Sequence, residues 1–256
     1  SLQDVHGNLA VDIDGTVLGQ EGFSLGPKAE GIFIFNNFDQ PGVVRARLEV
    51  DDDLSSDNIA YGWLHPARKL EILVVSPPSK FEDELKRIGK TTPNLHFRFL
   101  DPDQYTLGID ATADVVLFRR FVPDVAPLRP SLYAFPPDDG FFDTLGDSHN
   151  VEILDWNENH RVLHNLRPVT PIALNHIRRL RLPEWADVLL ASRDEDGEIP
   201  IAFAGEHEGR RIACLAFDPA DEHLLGADSV PMLLFFLNIL DWLGPQDEDV
   251  LIAQTG

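Results

Sequence analysis

The sequence predicts an all-β domain followed by an α/β domain. Residues 9–64 form short apolar runs separated by turn residues, a pattern typical of antiparallel strands. From residue 70 onwards, apolar runs alternate with helical periodicity, which is typical of an α/β sheet. Because the hydrophobic period changes within Leu48–Ser76, we predict one domain over residues 1–66 and a second over residues 67–256.

The N-terminal domain is predicted to be a small antiparallel β-sandwich of immunoglobulin-like type. Asp14-Gly15, Gly26-Pro27 and Asp39–Gly42 supply the turn chemistry between its strands. The predicted strands are Leu9–Asp14, Thr16–Gly19, Gly22–Leu25, Gly31–Asn36, Val43–Val50 and Ile59–Leu64.

The second domain begins with a strand that should be covered on both faces, Leu70–Ser76. Ser79 is a good helix cap, and Glu82 three residues later completes a capping-box pattern. Further strands are predicted at residues 95–99, 114–118, 131–135, 188–191, 199–204 and 211–217.

Two other segments of this domain have distinct patterns. Residues 136–168 are rich in Pro, Gly, Asp and Asn, so we predict irregular structure there, with a short helix around Asn159–Leu166. A last helix is predicted over Met232–Leu243, with Ser229 as its cap and Gly244-Pro245 as its stop.

Composition excludes several classes of partner. The formal net charge of -22 repels phosphate backbones and anionic lipid headgroups, so we expect neither nucleic acid nor a membrane surface as partner. A single cysteine, Cys214, excludes an internal disulfide, and its apolar strand neighbours predict a core residue. The chain opens on Ser1 without a signal sequence, which we interpret as a piece of a longer polypeptide.

The segment Leu9–Thr16 resembles the nucleophile motif of haloacid-dehalogenase phosphatases, in which Asp12 would attack phosphorus and Asp14 would act as acid/base. The residues that follow are predicted β-hairpins rather than a helix. We therefore interpret Asp14-Gly15 as a hairpin turn and keep a metal-dependent phosphatase as a distant alternative.

Two other groups of residues have metal-binding patterns. The Asp51-Asp52-Asp53 cluster with Asn58 suits a calcium loop, but it lacks the glycine and distal glutamate of an EF-hand, so we interpret it as a turn capped by its own side chains. His160 and His164 have the spacing of zinc ligands on a helix, but no third ligand is evident, so we interpret this segment as a surface helix and keep zinc as the alternative. We predict no metal, no cofactor and no catalytic residue.

The segment Asp53–Tyr61, followed by Leu70–Ser76, resembles the extracytoplasmic part of BatA-type bacterial membrane proteins, which contain a von Willebrand factor A domain. Similar but weaker signals lie in Leu154–Leu163, Gly209–Asp218 and Asp241–Leu243. The resemblance implies an immunoglobulin-like segment and a flavodoxin-like, class I glutamine amidotransferase-like three-layer α/β/α domain.

Amidotransferases of that class place a cysteine nucleophile at a tight turn after a central strand. The corresponding stretch, Asp114–Pro123, has neither a cysteine nor a glycine-flanked turn. The resemblance therefore implies the fold without the chemistry. We expect a non-catalytic interaction or scaffolding module of a membrane-anchored protein, facing the periplasm and binding other proteins of a membrane complex.

The alternative function is a small-ligand binder or hydrolase that uses the carboxyl ends of the α/β strands. Ligands of such sheets commonly bind in a crevice at that edge. Ser76-Pro77-Pro78 and the residues after Phe118 and Phe135 would line this crevice.

Overall fold

The computed structural model describes residues 4–27, 33, 35, 41–50, 58–64, 69–138, 141–163, 166, 172–195, 197–220 and 230–245. The chain divides into two compact units, residues 1–68 and 69–256. In the described part, no helix is both long and apolar enough to cross a membrane.

The N-terminal unit contains a four-stranded antiparallel sheet with the strand order β2-β1-β3-β4. Its strands are β1 (Val5–Ile13), β2 (Thr16–Leu25), β3 (Gly42–Val50) and β4 (Ile59–Leu64). The predicted strands at 16–19 and 22–25 are one continuous strand. The predicted strand at 31–36 lies outside the described residues apart from 33 and 35, so the described part of this unit contains one sheet.

The second unit is of α/β type and is built on a mixed eight-stranded sheet. The strand order is β10-β12-β13-β14-β8-β7-β5-β6, and the strands from β14 to β6 are parallel neighbours. The elements of this unit are β5 (Leu70–Val75), α1 (Lys80–Thr91), β6 (Leu95–Leu100), β7 (Val115–Arg119), β8 (Ser131–Ala134), β9 (Thr144–Ile153), β10 (Asp155–Trp156), β11 (Ile172–Leu180), β12 (Ala186–Asp194), β13 (Gly197–His207), β14 (Arg210–Leu215) and α2 (Val230–Leu243).

Both helices form where the sequence predicts them. The Ser79 hydroxyl accepts a hydrogen bond from the Phe81 amide at 3.3 Å and so caps α1. Glu82 lies 3.4 Å from Lys86, one helical turn further on. The long helix α2 is apolar on most sides and buries six side chains: Met232, Phe235, Phe236, Ile239, Leu240 and Leu243.

The two faces of the large sheet are covered differently. Ile72 and Val74 of β5 belong to the core on which both α1 and α2 pack. Leu73 and Val75, which point to the other face, pack with aromatic side chains of loops and strands. The family resemblance implies a helical layer on each side of the sheet, whereas both described helices pack on the same side.

The predicted irregular structure at residues 136–168 is wrong over part of its length. Strand β9 occupies residues 144–153 and pairs with β11 as a separate two-stranded ribbon. Polar residues and the positive-φ positions Gly146 and Asn150 hide this strand from sequence patterns. The ribbon is attached to the large sheet, because the backbone amide of Arg178 in β11 donates a hydrogen bond at 2.7 Å to the carbonyl of Ala216, directly after β14.

Candidate functional site

Polar side chains meet at the carboxyl ends of the parallel strands. Ser76 follows β5, Arg119 ends β7, and Asp218 comes three residues after β14. Since these strands run parallel, their carboxyl ends lie along the same edge of the sheet. Ser76 and Arg119, the residue after Phe118, belong to the crevice predicted from the sequence. The structure brings them together with Asp218, which the crevice prediction did not include.

Arg119 and Asp218 form a buried ion pair. The Arg119 Nε lies 2.8 Å from Asp218 Oδ1, and the two side chains are only 5% and 2% exposed. Arg119 Nη1 also donates to the hydroxyls of Ser76 at 3.4 Å and Ser79 at 3.2 Å. The Ala220 amide donates to Asp218 at 3.0 Å, so both charges are stabilised by further hydrogen bonds.

Arg120 closes the same network from the solvent side. Its Nε contacts the second carboxylate oxygen of Asp218, and its side chain is 39% exposed. Its backbone φ is 52°, a left-handed conformation that is unfavourable for residues other than glycine. A turn with positive φ therefore follows β7, although the sequence has no glycine there. Such strained positions cost on the order of 1 kcal/mol or more and are held by their surroundings.

Phe135, at the end of β8, is a shared contact for two guanidinium groups. It also has a positive φ of 49°. Arg120 lies 5.1 Å and Arg178 lies 4.6 Å from the centre of its ring, within the range of cation–π attraction. Arg178 also donates to the Pro136 carbonyl at 2.7 Å, which ties the two-stranded ribbon to this edge of the sheet.

The ribbon adds a second carboxylate beside these arginines. Asp147 lies 3.2 Å from Arg178 Nε and 3.1 Å from His176 Nε2. Partial burial acts to raise the pKa of Asp147, but the hydrogen bonds from His176 and Arg178 outweigh burial and lower it. The carboxylate is thereby held in its charged form.

Arg119, Arg120 and Asp218 are bound to one another in this arrangement. A guanidinium does not act as a nucleophile or as a base near neutral pH, because it stays protonated. Asp218 is held by two guanidinium groups and one backbone amide. Among the described residues there is no group of three His, Cys, Asp or Glu side chains placed to bind a metal ion.

A sequence signal for this network existed. Arg119 and Arg120 directly follow the apolar run Val115–Phe118, and Asp218 directly follows the apolar end of another strand. Charged residues that end buried strands are placed at the edge where such sheets carry their sites. Which charges would pair was not evident, since 99 positions separate Arg119 from Asp218.

The phosphatase-like motif forms a hairpin turn, which confirms that interpretation. Ile13 pairs with Thr16 across Asp14 and Gly15, both of which have positive φ. Asp12 lies 2.8 Å from Arg45 Nε, and Asp14 accepts a hydrogen bond from the Val43 amide at 3.1 Å. The two carboxylates join strands of the small sheet.

The other candidate residues are dispersed. His160 precedes a short 3-10 turn at Arg161–Leu163, where a longer helix was predicted, and burial lowers its pKa. His164 and the Asp51-Asp52-Asp53 cluster lie outside the described residues. Cys214 is fully buried within β14, as predicted, and burial raises the pKa of its thiol well above the usual value.

Comparison with known proteins informs only the fold. No family model matches the chain, and no curated protein matches its sequence. A cytoplasmic protein of Salmonella typhimurium LT2, STM1381, is similar in structure with a TM-score of 0.50 at 10% identity, covering 80% of this chain and 97% of its own. A second Salmonella typhimurium cytoplasmic protein, STM3548, has a TM-score of 0.49 at 10% identity, covering 69% of this chain and 100% of its own.

Proposed function

We propose that this chain is a non-catalytic interaction module of a membrane-anchored bacterial protein of BatA type. The observation that carries the proposal is the turn after β7. In a class I glutamine amidotransferase that turn would present a cysteine nucleophile, whereas here it presents Arg120 in a left-handed conformation. Asp218 holds Arg120 and the buried Arg119, so the residues at the expected reaction centre are engaged with one another.

The proposed fold is an immunoglobulin-like domain followed by a flavodoxin-like, amidotransferase-like domain. The order β6-β5-β7-β8-β14 supports the second part, because it repeats the 2-1-3-4-5 order of flavodoxin-like sheets. The four-stranded antiparallel sheet of the N-terminal unit supports the first part, as one sheet of a sandwich.

The proposed location is the periplasmic face of the membrane, and the proposed partners are other proteins of a membrane complex. Both follow from the resemblance of Asp53–Tyr61 and Leu70–Ser76 to BatA-type proteins. The rival function, ligand binding at the strand carboxyl ends, is disfavoured by the buried ion network that occupies that edge.

Hydrolysis assays test the non-catalytic part of the proposal. We expect the purified chain to release ammonia from glutamine and p-nitrophenol from p-nitrophenyl acetate no faster than an Arg120→Ala variant does. Arg120→Ala removes the side chain at the amidotransferase nucleophile position, and Arg161→Ala is the matched surface control. The proposal would be refuted if the chain hydrolysed either substrate, if one substitution at the carboxyl ends of the strands abolished that activity, and if Arg161→Ala retained it.

Co-purification tests the interaction part. We expect the full-length protein, extracted from bacterial membranes in mild detergent, to elute with a fixed set of membrane proteins in stoichiometric amounts. A full-length protein that elutes alone under the same conditions would contradict a scaffolding role.

A further inference from the structure

A cavity of about 510 Å³ lies at the end of the parallel strands opposite to the ion network. It opens at the amino ends of β8 and β14, on the face of the sheet that the described helices leave uncovered. Its volume falls within the range of small-molecule sites, about 300–1,000 Å³. The lining residues that matter here are Arg129, Tyr133, Phe141, His207, Glu208 and Arg210.

Aromatic rings form one wall of this cavity. Phe141 is 45% exposed, yet it is stacked against Trp185 at 6.1 Å and against Tyr133 at 6.4 Å between ring centres. The His207 ring lies 5.6 Å from Phe141 on the same wall. An exposed ring that is fixed by neighbouring rings presents a rigid apolar surface at little cost in side-chain entropy.

Charged side chains with opposite signs form the rest of the rim. Arg210 lies 2.7 Å from Glu208 and also donates to the Pro127 carbonyl, which fixes its orientation. Arg129 donates to the Ala111 carbonyl and has no carboxylate partner among the described residues. With Asp124, the lining has two guanidinium groups and two carboxylates, so its formal charge is zero in a chain of net charge -22.

We propose that this cavity is a binding site for a neutral pyranose sugar. A pyranose has an apolar C–H face that can lie on Phe141, and hydroxyl groups that both donate and accept hydrogen bonds. Guanidinium groups supply the donors, and the carboxylates of Asp124 and Glu208 supply the acceptors. A zero formal charge gives no net attraction to anionic ligands such as phosphates or aromatic carboxylates.

Buried hydroxyls at the base of the cavity complete the polar lining. Tyr133 is only 3% exposed, and burial raises the pKa of its hydroxyl, which therefore stays protonated. It hydrogen-bonds the Ser131 side chain, whose hydroxyl donates to the Arg129 carbonyl at 2.8 Å. This chain of hydrogen bonds links the base of the cavity to the backbone of the rim arginine.

Saturation-transfer-difference NMR of the whole chain tests the proposal. The probes are the methyl glycosides of glucose, galactose and mannose, together with N-acetylglucosamine, each at millimolar concentration. We expect at least one sugar to receive saturation on its ring C–H protons. Phe141→Ala should abolish this signal, and Arg129→Ala should weaken binding by about tenfold or more, as expected for loss of a charged hydrogen-bond partner.

Matched variants separate binding from folding. Tyr61→Ala removes an aromatic side chain that is 69% exposed in the other unit and should leave the signal unchanged. Phe141→Leu keeps an apolar side chain without the ring and should also lose the signal, while far-UV circular dichroism, which reports the backbone fold, stays close to that of the parent chain.

Three outcomes would overturn the proposal. The first is that none of the four sugars receives saturation. The second is a sugar signal that survives Phe141→Ala, which would place binding elsewhere. The third is binding of sodium benzoate in place of every sugar, which would show that the cavity takes an anionic aromatic ligand.

Discussion

The two ends of the parallel strands differ in how their charged groups are satisfied. At the carboxyl ends, Arg119 and Asp218 are buried and bonded to one another. At the amino ends, Arg129 and Phe141 lie on an open cavity and are exposed. The edge that usually binds ligands in such sheets is thus closed by its own residues, and the opposite edge offers the space. The fold alone therefore does not determine which end of the sheet has space for a ligand.

The largest predicted effect is at the closed end. Asp218→Asn should lower the free energy of unfolding by about 3–5 kcal/mol, because it leaves the buried Arg119 without its counter-charge. Urea denaturation of the purified chain measures this. Asp155→Asn is the control, since Asp155 pairs with Arg193 on the surface and its loss should cost less than about 1 kcal/mol.

A double variant sharpens this test. Arg119→Met combined with Asp218→Leu removes both buried charges, so it should recover much of the stability that Asp218→Asn loses. If Asp218→Asn and Asp155→Asn lower the free energy of unfolding equally, the buried ion network contributes little to stability.

A smaller effect is predicted beside the open end. A Cβ atom at Gly205 would overlap the Trp185 carbonyl oxygen and press on Ala186, so Gly205→Ala must displace the backbone at the start of β12. We expect a loss of about 1–3 kcal/mol. Because Trp185 stacks on Phe141, the near-UV circular dichroism should change as well.

Gly89→Ala is the matched control for this variant. Its nearest contact would be 3.4 Å away, and it lies within α1, so alanine should stabilise the chain by about 0.5–1 kcal/mol. If Gly205→Ala leaves both stability and the near-UV spectrum unchanged, the close approach of β12 and β13 does not constrain the aromatic wall.

The smallest effect concerns Tyr105 and Tyr133, two tyrosines in the core on the face of the sheet that the described helices leave uncovered. The buried Tyr105 hydroxyl has no hydrogen-bond partner among the described residues, so Tyr105→Phe should be neutral or stabilise by up to about 1 kcal/mol. Tyr133→Phe, which removes a hydroxyl bonded to Ser131, should destabilise by about 1 kcal/mol. Urea midpoints of the two variants compare them directly.

The dependence of stability on alkaline pH gives a second test of the burial of Tyr105. Burial raises the pKa of Tyr105 to about 12, so the folded chain disfavours its charged form. Because the unfolded chain ionises Tyr105 near pH 10 and the folded chain only near pH 12, the free energy of unfolding keeps its full value below about pH 10. It falls as pH rises from about 10 towards 12. The loss of stability above pH 10 should be shallower in Tyr105→Phe, and an unchanged slope would contradict this assignment.

Local chemistry made much of the fold predictable. The cap at Ser79, the hairpin at Asp14-Gly15 and the apolar run of α2 each depend on residues close in sequence. Strand β9 was missed because its ladder partner, β11, lies beyond an intervening segment and because its own residues are mostly polar. A strand of low intrinsic propensity is decided by its partner, which a local pattern does not contain.

By itself, the sequence determined the change from an antiparallel sheet to an α/β unit, the positions of both helices and the absence of a cysteine after β7. Only the tertiary structure decided that Arg119 pairs with Asp218 and that Arg129, Phe141 and Arg210 share one cavity. The physical reason is distance along the chain. Turns and caps are made by neighbouring residues, whereas these contacts exist only after the sheet has brought separate strands together.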